Sequence, residues 1–116
     1  MNTQQVADKL VGYCREGKNT DAINELYDDN IVSREPAMGE TTGKENVLQK
    51  TKNWLESVVE IHSGEISDPL VTGNHFSVVM NYDVTYKEHG RAPMHEIAVF
   101  EVKDGKVVSE QFFYTM

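Results

Sequence analysis

Three glutamates in this sequence could carry acid–base chemistry: Glu35, Glu96 and Glu110. Glu35 comes directly before Pro36, and a proline ring disfavours the helical region for the residue that precedes it. Glu35 is therefore predicted to end a short strand over residues 31–35. Because glutamates are mostly exposed in proteins, the residues alone leave two interpretations open. Glu35 is either a solvated charge at a strand end or a base at the rim of a pocket.

Glu96 and Glu110 are predicted to lie on the two neighbouring strands of a hairpin. A three-residue loop over 103–105 would pair Val102 with Lys106 and bring both carboxyls onto the interior face. A two-residue turn would shift the pairing by one residue and turn Glu110 outward. We prefer the three-residue loop because it collects the apolar residues of both strands on one face. Those residues are Ala98, Phe100, Val102, Val108, Phe112 and Tyr114.

Two carboxyls on one apolar face would both lose hydration and would repel each other. At least one of Glu96 and Glu110 is therefore expected to bind a proton near neutral pH, and the two would titrate jointly. A protonated glutamate could donate a hydrogen bond to a ligand carbonyl. The alternative, which the sequence leaves open, is that one of the two carboxyls reaches solvent.

Apolar and aromatic side chains on the interior faces are the candidates for ligand contact. A strand over residues 75–87 alternates apolar with mostly polar side chains, so one of its faces is apolar. Tyr82 and Tyr114 on such faces are more typical of core aromatics with a bonded hydroxyl than of catalytic acids. Trp54 is expected chiefly to pack the third helix on the sheet. The predicted ligand-binding residues are Tyr13, Trp54, Met80, Tyr82, Ala98, Phe100, Phe112 and Tyr114.

Helices are predicted mainly in the first half of the chain and strands in the second. Helical spacing of apolar residues indicates a helix over 3–16, a second from about 19 to 27, and a third that runs from a capping box at 42–45 to about residue 58. After residue 58 the apolar period changes to 2. Strands are predicted near 60–66, 70–73, 75–87, 93–103 and 106–115. This order indicates an α+β fold with the helices on one face of an antiparallel sheet.

The second face of the predicted sheet is not plainly polar either. In the strand over 93–103, both faces carry apolar side chains. If the helices cover one face, an apolar patch remains on the other, and a partner usually covers such a patch. We therefore expect a homodimer packed sheet against sheet. The residues of the expected patch are Val79, Ile97, Val99, Val107 and Phe113.

Length and charge argue against several classes of protein. The chain of 116 residues suffices for one domain, over 1–116, but not for two. The formal net charge is −8, from 19 acidic and 11 basic residues, and no Lys/Arg cluster offers a phosphate-binding surface. Nucleic acid and membrane are therefore not expected as partners. The N-terminus lacks the basic start and apolar run of a signal peptide, which predicts a cytoplasmic protein.

No cofactor or metal is expected from the residue types. The four histidines are scattered and Cys14 stands alone, so the sequence has neither a short-spaced ligand pair nor a cysteine cluster. It has no Gly-rich phosphate loop. Cys14 lies on the apolar stripe of the first helix and is predicted to be a small core residue rather than a nucleophile.

The order of these elements, together with three short motifs, resembles a known superfamily. The motifs are LYDDNIVSREP after the second helix, TTGKEN opening the third and FEVKDGKVVSEQFFY in the last hairpin. They are similar to the SnoaL-like and ketosteroid-isomerase-like branch of the nuclear transport factor 2-like superfamily, over essentially the whole chain. The resemblance implies a strongly curved, mainly antiparallel sheet that wraps around three helices to make a cone with an apolar cavity. Very different functions use that cavity.

The resemblance also implies roles for individual residues. The steroid isomerases of this branch place a carboxylate base on the strand after the second helix, immediately before a proline, and Glu35 occupies that place here. Such a base moves a proton between carbons of a bound ketone. The family's phenol aligns with Val11 and its protonated acid with Ala98, so both oxyanion donors are missing. Glu110 is the expected partial replacement.

Two functions from different classes follow. The first is a cofactor-independent isomerase, cyclase or lyase that acts on a small apolar carbonyl compound with Glu35 as general base. Protonated Glu110 or Glu96 would polarise the carbonyl, with Tyr82 or Tyr114 assisting. The second is a noncatalytic ligand-binding or dimerisation module. The absence of the family's two oxyanion donors favours this second function. Convergence of the three carboxyls on one enclosed volume would favour chemistry over binding alone.

Overall fold

Helices and strands follow the predicted order in the computed structural model, which describes residues 1–115. The helices within that range are α1 (Thr3–Arg15), α2 (Asn19–Leu26) and α3 (Lys44–Ser57). The strands are β1 (Tyr27–Glu35), β2 (Gly39–Thr42), β3 (Val58–Ile66), β4 (Leu70–Thr72), β5 (His75–Tyr86), β6 (Gly90–Lys103) and β7 (Lys106–Phe113). The predicted α+β class is confirmed. Strand β2 was not predicted, and β1 begins at residue 27 rather than 31.

The two longest helices begin differently. At α1, Asn2 Oδ1 accepts from the amide of Gln5 (2.8 Å) and Gln5 Oε1 accepts from the amide of Asn2 (2.9 Å), which is a capping box. The capping box predicted at α3 is wrong. Gly43 stands at that N-cap with a φ of 92°, and no side chain caps the helix. Thr42 is still paired with Val32 of β1, so α3 begins only after the chain has left the sheet.

Two lysines hold the C-terminal end of α2. Lys44 Nζ donates to the carbonyl of Asn24 (2.7 Å), and Lys106 Nζ donates to the carbonyl of Glu25 (2.6 Å). The last carbonyls of a helix lack intrahelical partners and carry partial negative charge, so both contacts are favourable. They fix α2 between α3 and β7, where its end leads directly into β1.

The strands form one sheet in the order β2-β1-β7-β6-β5-β3, with β4 paired to β5. Within the described residues, β1 and β7 run parallel and the other pairs run antiparallel. The parallel pair brings Ser33 opposite Glu110. Register shifts interrupt the pairs β1–β7, β3–β5 and β6–β7, and such bulges increase the bend and twist of a sheet.

The hairpin between β6 and β7 has a two-residue turn, so the predicted three-residue loop is wrong. Lys103 pairs with Lys106, and Asp104 and Gly105 between them have φ values of 52° and 76°. Two consecutive positive φ values are those of a type I′ turn, whose twist matches that of the flanking strands. Aspartate followed by glycine is a common sequence for this turn.

A bulge in β7 returns Glu110 to the interior, as predicted. The pairing skips Val108, so that Phe100 lies opposite Glu110, and both are buried. One extra residue reverses the side-chain alternation beyond it, which cancels the shift that the shorter turn introduced. On the turn side of the bulge, Val107 pairs with Val102 and is fully buried. The prediction that Val107 belongs to the outer patch is therefore wrong.

The core lies between one face of the sheet and the helices. The stacked rings of Phe76 and Phe100 belong to it, with centroids 4.6 Å apart. Burying an aliphatic or aromatic side chain of this kind contributes roughly 1.5–3 kcal/mol. Cys14 packs against the core from α1 and is partly buried. No helix within residues 1–115 is both long and apolar enough to cross a membrane.

The outer face of the sheet keeps a row of exposed apolar side chains. Val79 lies opposite Ile97, and Ile97 lies opposite Phe113, so the row crosses three neighbouring strands. The exposed fractions are 39%, 46% and 50% in that order. Val99, which was also expected in the patch, is partly buried. The homodimer stays a prediction that this row motivates.

Replacing the turn glycine should destabilise the protein, whereas replacing a helical glycine should stabilise it. An alanine at Gly105 would need a positive φ, and its Cβ would lie 3.1 Å from backbone atoms of Met1. A Cβ at Gly12 in α1 would meet nothing within 4 Å. We expect Gly105→Ala to lower the free energy of unfolding by about 1 kcal/mol and Gly12→Ala to raise it by roughly 0.5–1 kcal/mol. Urea unfolding measures both free energies. A Gly105→Ala variant as stable as the wild type would contradict the turn assignment.

The exposed row predicts a homodimer in solution. Light scattering at micromolar concentration should give twice the chain mass of 13.1 kDa. Ile97→Glu places a carboxylate in the middle of the row and should give a monomer, because burying an unpaired charge is costly. Gln49→Glu, on the exposed surface of α3, adds the same charge and should leave the dimer intact. A monomeric wild-type protein would contradict the prediction.

Candidate functional site

A cavity of about 370 Å³ lies between the helices and the sheet. Volumes of a few hundred Å³ are typical of sites for small ligands. Met38 and Asn53 line the cavity and are exposed, so they mark its opening. The rest of the wall is largely apolar and aromatic. It includes Leu10, Ile23, Trp54, Met80, Phe100 and Phe112.

All three carboxyls singled out in the sequence line this one cavity. Glu35 ends β1, Glu96 lies in β6 and Glu110 lies in β7. Glu35 and Glu110 come together because β1 and β7 run parallel, with Ser33 opposite Glu110. Glu96 lies opposite Met80 of β5, whose side chain also lines the cavity. The convergence that favours chemistry over binding alone is therefore present.

Glu110 is the most deeply buried of the three carboxyls, with 3% of the residue exposed. Its Oε2 accepts from Ser33 Oγ (2.7 Å), and its Oε1 accepts from the hydroxyl of Tyr27. Burial raises the pKa of Glu110 above its ordinary value, and these two hydrogen bonds offset part of the rise. Burial and the adjacent carboxyl also raise the pKa of Tyr27. The phenol therefore stays protonated and continues to donate.

A lysine that the sequence analysis did not single out lies beside Glu35. Lys50 Nζ donates to Glu35 Oε2 (2.7 Å) and to Ser33 Oγ (2.8 Å). The side chains of Lys50 and Glu35 are only 12% and 16% exposed. The sequence contained a signal for this lysine, because it lies three residues after Val47 and four before Trp54 on the inward stripe of α3. Lysine is almost never buried without a partner, so one within an apolar stripe suggests an ion pair.

The polar side chains form a continuous network along the cavity. Tyr114 Oη donates to Glu35 Oε1 (2.8 Å) and accepts from the amide of Ala37 (3.1 Å). Arg34, the sequence neighbour of Glu35, bonds to Glu40 instead (3.1 Å). Both oxygens of Glu35 are thus already bonded. The network consists of Tyr27, Glu110, Ser33, Lys50, Glu35 and Tyr114.

Glu96 differs from the other two carboxyls because it has no bonded partner. It is partly buried and makes no hydrogen bond or ion pair with another residue in the range 1–115. Burial raises the pKa of Glu96 to about 7, and the negative charges of Glu35 and Glu110 contribute to this rise. Lys50 opposes it in part. A group with a pKa close to the ambient pH can both take up a proton and give it back.

The predicted ligand-binding residues separate into two groups. Those that line the cavity are Trp54, Met80, Tyr82, Phe100 and Phe112. Tyr13, Ala98 and Tyr114 lie outside its wall. The hydroxyl of Tyr13 donates to Glu25 Oε1 on α2 (3.0 Å), and Ala98 is fully covered by its neighbours. Tyr114 reaches the site only through its hydrogen bond to Glu35.

Further residues line the cavity that the sequence analysis did not connect with ligand contact, among them Cys14, Tyr27 and Met94. Burial raises the pKa of the Cys14 thiol to about 12, so it is protonated and unreactive at neutral pH. It therefore serves as a small apolar part of the wall. Within residues 1–115, no group of three or more His, Cys, Asp or Glu side chains is placed to hold a metal ion.

Comparisons with known proteins agree with this architecture. The family model of the SnoaL-like domain matches residues 1–114. A crystal structure from Mesorhizobium loti, of a protein provisionally named a SnoaL-like polyketide cyclase and also carbohydrate phosphatase, is 33% identical in sequence to this chain. The match covers 98% of this chain and 100% of that protein, with a TM-score of 0.92.

More distant structures share the fold. A protein from Jannaschia, provisionally named a SnoaL-like polyketide cyclase, is 14% identical over 97% of this chain and 85% of its own, with a TM-score of 0.78. A protein from Catenulispora acidiphila with a ketosteroid isomerase-like fold, in complex with trimethylamine, is 16% identical to this chain. That match covers 99% of this chain and 88% of the other protein, with a TM-score of 0.78. At these identities the likeness shows the fold alone. A comparison with curated proteins finds no match.

Removing the charge of Glu96 should stabilise the protein at high pH but not at low pH. Folding raises the pKa of this carboxyl from 4.5 to about 7, so between these values the folded state binds a proton that the unfolded state has lost. Stability contributed by this group is therefore lost as the pH rises through that window. We expect Glu96→Gln to match the wild type below about pH 4 and to be more stable above about pH 8, by up to about 3 kcal/mol.

Urea unfolding at the two pH values measures this difference. Glu56→Gln, an exposed position on α3, removes the same charge and should give no pH-dependent gain. Equal gains for the two variants would show that Glu96 is not desolvated.

Proposed function

The chain belongs to the SnoaL-like domain family, and from that membership we propose that it is a cofactor-independent enzyme acting on a small apolar carbonyl compound. The reaction is an isomerisation, a cyclisation or a lyase-type cleavage that begins with removal of a proton beside the carbonyl. The observation that carries the proposal is the unpaired carboxyl of Glu96 in a cavity whose wall is largely apolar and aromatic.

Glu96 is the proton-transferring group in this proposal. Its carboxylate takes a proton from the carbon next to the carbonyl, the electron pair of that C–H bond forms a C=C bond, and the carbonyl oxygen becomes an enolate. In an isomerisation, Glu96 then returns the proton to another carbon. In a cyclisation, the enolate carbon attacks a second carbonyl carbon of the same molecule, the π bond of that C=O opens to an alkoxide, and the alkoxide takes the proton back from Glu96. Both protonation states of Glu96 are populated near neutral pH, as transfer in two directions requires.

Glu35, which the resemblance suggests as the base, has a supporting role in this proposal. Its two oxygens already accept hydrogen bonds from Lys50 and Tyr114. Glu35 holds Lys50 in place, and the role of base passes to Glu96. Glu110 also has both oxygens bonded, so it fixes the network rather than contacting the reacting carbon.

The relative from Mesorhizobium loti supports a carbonyl substrate. One of the names given to that protein is polyketide cyclase, and polyketides are chains that carry repeated carbonyl groups. The largely apolar wall of the cavity suits such a molecule. It suits a carbohydrate phosphate, which the other name of that protein suggests, less well, because the hydroxyl and phosphate oxygens would need many polar partners.

A noncatalytic ligand-binding module is the second candidate function. The observation that favours it is the apolar character of Val11 and Ala98, where the resemblance places the family's oxyanion donors. In that case the cavity still binds an apolar carbonyl compound, but Glu96 serves as a hydrogen-bonding group for it and no proton is transferred.

Deuterium exchange into a simple ketone tests the proposal without knowledge of the natural substrate. We expect the wild-type protein to bind α-tetralone, seen as a rise in melting temperature, and to catalyse exchange at the carbon beside its carbonyl in D₂O. NMR follows the exchange. Glu96→Gln should lower the exchange rate by roughly 100-fold or more, the usual contribution of general base catalysis. The exposed Glu56→Gln variant is the control, and its exchange rate should equal that of the wild type.

The pH profile adds a second test of the same group. Because the carboxylate is the active form, kcat/KM for exchange should rise with pH through about 7 and then level off. Exchange that persists undiminished in Glu96→Gln would remove Glu96 from the mechanism. Binding of α-tetralone without any exchange by the wild type would favour the noncatalytic module.

A further inference from the structure

The ammonium group of Lys50 has a hydrogen-bond donor left over. An ammonium carries three N–H donors. Two of them are used, by Glu35 Oε2 at 2.7 Å and Ser33 Oγ at 2.8 Å. The side-chain hydrogen bonds among residues 1–115 include no third acceptor for Lys50, and the side chain lines the cavity. A third donor is therefore available to a ligand.

The position of this ammonium is fixed from both sides. Glu35, which accepts its first bond, is itself held by Tyr114. Ser33, which accepts the second, donates in turn to Glu110. With only 12% of the Lys50 side chain exposed, little water competes for the remaining donor. Donors that are fixed in advance in a water-poor site stabilise developing negative charge most effectively.

Other cavity-lining donors are already bonded or carry no charge. The hydroxyl of Tyr27 donates to Glu110, and the indole N–H of Trp54 lies 3.4 Å from the hydroxyl of Tyr86. Among the described residues that line the cavity, Lys50 has the only cationic side chain. Its Nζ lies 5.9 Å from the ring centroid of Phe112, which also lines the cavity. A ligand oxygen at Lys50 would thus have an aromatic ring beside its carbon framework.

From this geometry we propose that Lys50 is the oxyanion-binding residue of the cavity. Its third N–H holds the oxygen of a flat, apolar, enolisable ketone, or of a phenol that resembles the enol. The role in turnover rests on the proposed function, whereas the binding of the oxygen does not. When Glu96 takes the proton, the negative charge moves from its carboxylate to the ligand oxygen beside Lys50. Lys50 keeps its proton and its positive charge throughout, and the total charge of the site is unchanged because the proton moves from the ligand to Glu96.

A coloured phenol tests the binding step by itself. The probes are 4-nitrophenol, whose phenolate absorbs visible light, and nitrobenzene, which has the same ring without the oxygen. We expect wild-type protein to bind 4-nitrophenol as its phenolate. Lys50→Met should weaken that binding by at least about tenfold, as expected for loss of a hydrogen bond to a charged group. Binding of nitrobenzene should stay the same.

Three further variants keep the test decisive. Lys50→Arg retains charge and donors and should restore phenolate binding in part. Lys52→Met, exposed two residues further along α3, is the matched control and should bind as the wild type does. The double variant Lys50→Met/Glu35→Gln leaves no unpaired charge, so it should fold. Because it also lacks the Lys50 donor, it should bind the phenolate as weakly as Lys50→Met does.

Two outcomes would overturn the inference. One is phenolate binding that is unchanged in both Lys50→Met and the double variant. The other is an equal loss of nitrobenzene binding, which would give Lys50 a purely structural role. In the deuterium-exchange assay, Lys50→Met should lower kcat more than it changes KM. If the wild type shows no exchange but Lys50→Met still loses the phenolate, the inference stands and the proposed enzyme function fails.

Discussion

The ion pair between Lys50 and Glu35 holds the polar part of the cavity together. The two side chains are 12% and 16% exposed, and each would be an uncompensated charge without the other. Removing one member of a buried pair typically costs about 3–5 kcal/mol, because the remaining charge has lost its hydration. Ser33 and Tyr114 bond to the pair from either side, so the geometry of the whole network depends on it.

The hydrogen-bond partners of Glu110 and Glu96 differ, and this difference, rather than residue type, distinguishes the two carboxyls. Glu110 is more deeply buried than Glu96, but both of its oxygens accept hydrogen bonds from neighbouring hydroxyls. Glu96 lies in the same cavity without any such partner among the described residues. Two carboxyls in one site with different surroundings are a common arrangement for dividing structural and acid–base roles. Here both carboxyls line the cavity, but the oxygens of Glu110 are held by hydroxyl groups, whereas those of Glu96 have no partner among the described residues.

Much of the architecture could be predicted from local pattern. Helices and strands follow the apolar periodicity, which depends only on nearby residues. Pro36 disfavours the helical region for Glu35 and so predicts its extended conformation, whereas its place at a pocket was implied only by the family resemblance. The family resemblance, now supported by the match over residues 1–114, supplied the cone-like arrangement. That Val79, Ile97 and Phe113 share the outer face is also implicit in the alternation of their strands, whereas their pairing depends on the register.

By itself, the sequence determined the order of the elements and which carboxyls could face the interior, because side-chain alternation and helical spacing are local properties. Only the tertiary structure decided which groups bond to them. Lys50 meets Glu35 because α3 packs against β1, and Glu110 points inward because a bulge at Val108 compensates for a two-residue turn. Strand register depends on the hydrogen bonds of the partner strand, and one extra residue changes the face without leaving a sequence signal.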